Sequence, residues 1–509
     1  MTVLLLGDGL LRKRGPVARR PDEPILLIEA ESFARRLPYH PHKLTVVFSA
    51  MRHFRDELRE RGRTVRYYQA ESFDEGLRRY FDDHPRDELV AMRPASANGA
   101  ERFDDLVTDH GGTIEFVENE LFLCSPDKFD EWAGDREGYR HEDFYRFMRK
   151  KTGYLMDGDE PVGGEWNYDE ENRETPDAEF SAPEPPVFPP DETTEAVAEW
   201  VEESFDGSYD EPPYGGDWAD PEPFRWPVTR AEALDALEAF CTERLPDFGP
   251  YQDAMVGDEW GMYHALLSPA LNIGLLHPAE VVERVIEAGE DDAVPLNSVE
   301  GFVRQVIGWR EFVRHVYRRE MPDLAEANQL DAEQDLPPAY WTGDTEMNCL
   351  RESVEGVRER GYAHHIQRLM VLSNFGLLYG VEPAQLNRWF HAGFVDAYHW
   401  VTTPNVVEMG LFGSGVFATK PYAASANYIN KMSDYCSGCE YYHTKTTGEG
   451  ACPFNALYWD FLDRNGDELR DNHRMGLVYS HLDNKDDEEL TAIRKRADTL
   501  RERARSGEL

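Results

Sequence analysis

The chain has 509 residues and a formal net charge of −44, with 98 acidic side chains against 54 basic ones. The length allows two to four domains with sizeable cores. No opening apolar run has signal-peptide architecture and no stretch reaches the roughly 20 apolar residues of a membrane span, so a cytoplasmic protein is expected. Charge of this sign argues against a general nucleic-acid binder, whose domains are usually basic. With 44 Arg and only 10 Lys, it fits a salt-rich cytoplasm where screening removes much of the self-repulsion, and so a halophilic source.

Residues 1–135 alternate strand and helix. Residues 3–6 form a short apolar strand that ends in Gly7-Asp8-Gly9, and residues 25–28, 44–48, 64–68, 89–92 and 113–117 read as further strands. The 44–48 run feeds a helix over 50–61 with Met51, Phe54 and Leu58 on one face. Strands spaced by such helices predict a parallel, Rossmann-like α/β sheet, with ligands beyond the carboxyl ends of the strands. Gly-Asp-Gly lacks the GxGxxG spacing and reads as an ordinary turn. Residues 136–225 are a connector. Within it, 156–224 are dominated by Pro, Gly, Asp and Glu and predict a solvated, partly extended segment with a short amphipathic helix over 194–205. Residues 226–509 predict an all-α domain. Thr229 and Glu232 make a capping box for a helix over 229–245. Ser298 opens a second helix carrying Val299, Phe302, Val306, Trp309 and Phe312 at helical spacing. A third, apolar helix over 364–379 is closed by Gly380.

Four of the six cysteines, Cys349, Cys436, Cys439 and Cys452, fall in the C-terminal third. Cys436 and Cys439 form a CxxC pair. Clustered cysteines in a cytosolic chain mean metal more often than disulfides; thiolate sets hold zinc or iron–sulfur centres, and the spacing leaves both open. Cys124 and Cys241 read as buried small hydrophobes. The adjacent His364 and His365 stand at a helix start, where a polar cluster is the plainer reading.

Several runs together resemble one family. Leu267-Ser268-Pro269-Ala270-Leu271-Asn272 looks like the flavin-binding signature of photolyases and cryptochromes, and Gln305 through Trp309-Arg310-Glu311-Phe312 resembles their second flavin-lining helix. Lys420-Pro421-Tyr422 through Asn427-Tyr428-Ile429, followed by Tyr435-Cys436-Ser-Gly-Cys439, with Cys349 and Cys452, is similar to the iron–sulfur branch of bacterial and archaeal cryptochromes and (6-4) photolyases. That resemblance implies an α/β antenna domain, a helical FAD-binding domain and a 4Fe-4S cluster on the four cysteines. It also implies a 6,7-dimethyl-8-ribityllumazine antenna, with Asp8, Glu29 and His40 at the corresponding places.

For FAD the resemblance implies contacts from Ser268, Leu271, Asn272, Gln305, Arg310, Arg368, Asp396 and Thr402; for Arg368 and Asp396 an ordinary core ion pair is the alternative. Histidine, whose pKa lies near neutrality, suits proton delivery to a lesion. The resemblance gives that task to His365, with His364 orienting it and Tyr422 as a further lesion contact. Trp389 and Trp341 match tryptophans that relay electrons to the flavin, although core tryptophans usually just pack. The expected partner is UV-damaged DNA, with phosphates held by arginines between 314 and 319 and between 351 and 360, and by Lys431. The expected activity is light-driven (6-4) repair by a monomer. The alternatives are a cryptochrome-type photoreceptor and a zinc-stabilised redox flavoprotein.

Overall fold

The computed structural model of the chain describes residues 1–177, 180–205 and 218–509. Its first part is a five-stranded sheet of β1 (Thr2–Leu5), β2 (Ile25–Ala30), β3 (Val65–Ala70), β4 (Glu88–Met92) and β5 (Thr113–Val117). The order is β3-β2-β1-β4-β5 and every pairing is parallel. β1 and β2 are buried at every position, as unbroken apolar runs require of central strands covered on both faces. The order reverses between β1 and β4, so the crevice beyond their carboxyl ends is the topological switch point.

Residues 44–48, expected as a strand, lie instead inside one 20-residue helix, Pro41–Glu60. Pro41 sits in the first turn, where a missing N–H costs nothing, and the His40 ring accepts the His42 N–H at 3.1 Å to cap it. A short apolar run does not distinguish a buried strand from a buried helix; here the cap settles the matter.

The connector also differs from a solvated coil. Asn172 is fully buried and exchanges side-chain bonds with Asn297. The Tyr168 N–H donates to Glu300, Glu174 N–H donates to the Pro250 carbonyl, and Phe180 packs edge-on against Tyr251 and Tyr263. The helix Glu192–Phe205 lays Val197 and Val201 against Pro41–Glu60, with Trp200 against Phe48. Proline removes backbone donors that burial would otherwise strand, so an extended Pro-rich segment can dock as well as float. Residues 206–217 of the connector lie outside the described residues.

The remainder is helical. The Thr229–Glu232 capping box forms and opens Arg230–Ala239. Gly380, in the left-handed region at φ 95°, ends the helix that begins at His365. Gly361 (φ 63°) ends Asn348–Arg360, and a Cβ there would meet Val395 at 2.6 Å. Wide π-type turns interrupt the helices at Arg304–Arg310, Gln367–Ser373 and Pro404–Gly410. One apolar core joins the sheet to the first helices; a second surrounds Cys349, Trp389 and the last helix, Asp487–Ser506.

Burial holds several histidines neutral. His42 is pushed down from 6.5 to about 4, and His141 and His315 to about 3. The unfolded chain binds these protons and the folded chain does not, so their contribution is complete above 6.5. It is lost as pH falls toward those values, by up to about 1.4 kcal/mol per pH unit for each group. Thermal unfolding at constant salt should show Tm falling below pH 6.5 already above the carboxylate range; a flat Tm there would exclude this.

Candidate functional site

Cys349 lies in the first turn of Asn348–Arg360, Cys436 in the turn Tyr435–Gly438, Cys439 just beyond it and Cys452 at the cap of Pro453–Arg464. All four are free thiols and line one cavity with Met347, Ile429, Tyr441, His443 and Phe454. Burial, reinforced by the other three sulfurs, pushes the Cys349 thiol well up; burial takes Cys436 up to about 11 and Cys452 to about 12. A bound cation would reverse that, since thiolates are the ligands metals take. The loops are pinned by amides. Asn455 accepts the Ala426 N–H at 3.1 Å and donates to the carbonyls of His443 (2.6 Å) and Lys445 (2.9 Å). Asn348 donates to the Tyr435 carbonyl at 3.0 Å. Among the described residues, one set of three potential ligands has donor atoms within 4.8 Å of one another, and it is His264, His364 and His365, not any three of the sulfurs.

His364 is buried, and desolvation drives its pKa well below 6.5. Its N–H donates to Gln367 Oε1 at 3.0 Å, and Gln367 Nε2 donates to the Tyr435 hydroxyl at 2.9 Å. His365 opens the helix with a side chain 46% exposed, its Nε2 lying 3.3 Å from Asp253 Oδ1. The two histidines therefore point differently. Tyr422 is exposed, in the field of Asp169 and Arg474, and Asp169 pairs with Arg304 at 2.6 Å, one residue before Gln305.

Four of the eight residues expected around FAD gather at one carboxylate, Asp396. Arg368 donates twice to Asp396, at 3.0 and 3.1 Å, Ser268 Oγ donates to it at 2.6 Å, and Asn272 donates to its carbonyl at 2.8 Å. Burial alone would raise the Asp396 pKa; Arg368 and Ser268 outweigh it and hold it below the ordinary value. The Ser268 hydroxyl is thus spent on a carboxylate, not left free for a phosphate. Arg310 donates to the carbonyls of Leu121 (3.1 Å) and Leu271 (3.4 Å), pairs with the buried Glu311 carboxylate at 3.3 Å, and keeps a buried Nε without a partner. Gln305 is half-buried in the π-type turn and Thr402 is buried in His399–Thr403.

The Arg368 guanidinium lies 4.2 Å over Phe394, whose ring is 5.8 Å from Trp389; Trp389 is 5.1 Å from Tyr340, the neighbour of Trp341. Trp341 meets Trp218 edge-on at 5.0 Å. Rings therefore run outward from the Asp396 knot. Asp8 lines a crevice with Leu6, Gly9, Met92, Arg93 and Asn119 at the switch point. Glu29 and His40 do not join it: Glu29 accepts Arg52 at 2.8 Å, and His40 Nε2 bonds the Arg358 carbonyl at 2.9 Å. The expected phosphate-binding arginines are largely committed. Arg314 is buried, Arg318 and Arg319 pair with Asp130, Arg358 donates to the carbonyls of Trp218 and Thr342, and Arg360 pairs with Glu359. Lys431 is exposed.

Sequence reasoning missed His264, Gln367, Asn455 and Trp218. Each acts through a partner at least ten residues away in the chain, and no local spacing signals them.

Comparison with known proteins follows this geometry. Residues 3–212 match the family described as deoxyribodipyrimidine photo-lyase-related protein. A (6-4) photolyase of Agrobacterium fabrum is 41% identical over 487 residues, 94% of this chain and 94% of that protein. In fold, the chain is similar to a bacterial class III photolyase from Agrobacterium tumefaciens (TM-score 0.61, 19% identity, 95% of this chain and 98% of that one). It is also similar to a Synechocystis cryptochrome (TM-score 0.56, 12% identity, 99% and 98%). With a relative matched along nearly the whole of both sequences, the chain belongs to the photolyase-related protein family.

Proposed function

We propose that the protein is a light-driven DNA-repair lyase acting on (6-4) pyrimidine photoproducts. The observation that carries this reading is the 41% identity to a (6-4) photolyase over 94% of the chain, in a fold that leaves His365 half-exposed on a carboxylate partner. FAD, which the family implies, fits the residues present: Arg310 has a buried, unpartnered Nε that an anionic group would satisfy, beside the Ser268–Asn272 helix and the Arg368–Asp396 pair. When bound and reduced, a photoexcited flavin supplies the electron that opens the lesion and recovers it afterwards.

The chain's own tasks follow from its geometry. A flipped dinucleotide needs a pocket that excludes water and a donor at its mouth. His365 presents its ring to solvent while Asp253 fixes the Nε2 edge, so it delivers a proton as the hydroxyl moves between pyrimidines. His364, fixed through Gln367, sets the start of the helix; Tyr422 contacts the lesion from the rim. Trp389 and Trp341 carry electrons inward from solvent.

The four sulfurs suit a 4Fe-4S cluster better than zinc. Zinc with Zn–S bonds of about 2.3 Å needs sulfurs about 3.8 Å apart, and no three of these lie within 4.8 Å of one another. Binding would tie Asn348–Arg360 to the C-terminal helices and add to folding energy. For a lumazine antenna the fit is partial: Asp8 faces the switch-point crevice, while Glu29 and His40 are otherwise engaged. No described helix is long and apolar enough to cross a membrane, and the charge of −44 supports a monomer in a salt-rich cytoplasm.

Three outcomes test this reading. Holoprotein under blue light at high salt should restore a (6-4) lesion in an oligonucleotide; a fully reduced flavin with no restoration removes the enzyme and leaves a photoreceptor. His365→Ala should lose repair by about 100-fold or more, the range expected for a general acid, with FAD retained; undiminished repair would place the proton elsewhere. Cys436→Ala should lose iron by elemental analysis and lower Tm, and zinc in place of iron in the parent protein would overturn the cluster assignment.

A further inference from the structure

His264, which lies in the loop before Ser268, has no task in the repair reading. It meets His364 and His365 across a hundred residues of sequence. The His264 and His364 rings stack at 4.7 Å, the His365 ring stands edge-on to His264 at 5.3 Å, and one ring nitrogen of each lies within 4.8 Å of the other two. His264 and His364 are 7% and 2% exposed, yet His264 Nε2 and both nitrogens of His364 have no hydrogen-bond partner. Buried polar atoms are nearly always paired, so unpartnered nitrogens on both buried rings of this cluster mark a place built to receive something that accepts nitrogen lone pairs or bridges them.

Backbone bonds fix the chain at two of the three residues. His264 N–H donates to the Gly261 carbonyl at 3.0 Å and its carbonyl accepts Arg244 at 3.1 Å; His364 N–H is fixed by Gln367. The third ring is half-exposed. With Nε2 of His365 donating to Asp253, its lone pair is left on Nδ1, and a carboxylate behind an imidazole is the usual outer partner of a metal-bound histidine. Neutral imidazoles suit zinc, nickel and copper, and three of them leave a fourth position open. Metal–nitrogen bonds of about 2.0 Å require the nitrogens to close to roughly 3.4 Å and the stacked His264 and His364 rings to turn toward one point, a movement that rotation of all three rings about their side-chain bonds supplies.

We propose that His264, His364 and His365 form a binding site for a divalent transition cation of the zinc class at the mouth of the pocket, and that its occupancy withdraws His365 from proton transfer. The inhibitory clause rests on the repair reading; the binding clause does not.

The experiment equilibrates holoprotein with chelator-buffered sub-micromolar zinc at high salt and measures zinc and iron by elemental analysis. Wild type should hold one more equivalent of zinc than His264→Ala, with iron equal in both. Equal zinc in the two proteins, or none in wild type, overturns the site. Should His264→Ala fail to fold, His365→Ala, altered at an exposed ring, should weaken zinc binding by about tenfold or more, and unchanged affinity overturns the site equally. In the repair assay, zinc should suppress wild-type turnover and a chelator should restore it. Zinc bound with repair undiminished overturns the inhibitory clause alone, and absence of repair in zinc-free protein sinks the repair reading and leaves the binding result standing.

Discussion

A single buried carboxylate ties distant parts of the chain together. Asp396 takes two bonds from Arg368 and one from Ser268, and Lys43 adds a second positive group nearby. Removing one partner of such a pair leaves an uncompensated charge, at a cost of about 3–5 kcal/mol, so these positions are bound to one another. Their segments come from three parts of the chain: the helix after Leu267, the turn after His364 and, through Lys43, the long helix of the sheet domain. Lys43 donates to the His391 carbonyl at 2.6 Å, and burial lowers it to about 7. Arg368 also donates its Nε to the Ala363 carbonyl at 2.6 Å. The guanidinium that neutralises Asp396 therefore also sets the residue just before the histidine pair.

A second linkage runs the other way, from the histidines to the sulfurs. Gln367 accepts from the His364 backbone and donates to the Tyr435 hydroxyl, and Tyr435 precedes Cys436. Tyr435 is buried and its carbonyl is held by Asn348, the residue before Cys349. Two cysteines and the start of the histidine helix thus share one amide and one phenol. A metal centre that fixes those cysteines would also fix where the helix begins, and this is a structural task that needs no electron to pass through it.

What the sequence discloses depends on how local each signal is. The Thr229 capping box, Gly380 as a helix stop and five of the six expected strands rest on neighbours in the chain, and each is present. The run at residues 44–48 misleads because its apolar side chains suit either element, while the deciding features, Pro41 and the His40 cap, precede it. The connector misleads for another reason. Composition reports how few apolar groups 156–190 carries, not that Asn172, Phe180 and the backbone of Tyr168 and Glu174 each have a partner on the helical domain. The four cysteines stand out because sulfur is rare, and they do line one cavity. His264 does not stand out, because a lone histidine carries no spacing, and only the fold brings it to His364.

The arginines show why a chain of this charge should not be read from its totals. Arg63 donates to the carbonyls of Val17, Arg20 and Glu23; Arg149 to those of Leu155 and Trp166; Arg358 to those of Trp218 and Thr342; Arg464 to those of Leu377 and Leu378. Five donors in a fixed fork let one side chain close several carbonyls at once, which the single ammonium of lysine does less well. In these four places arginine serves as internal mortar. The rings around Trp389 and the knot at Asp396 give the interior of the helical domain its rigidity.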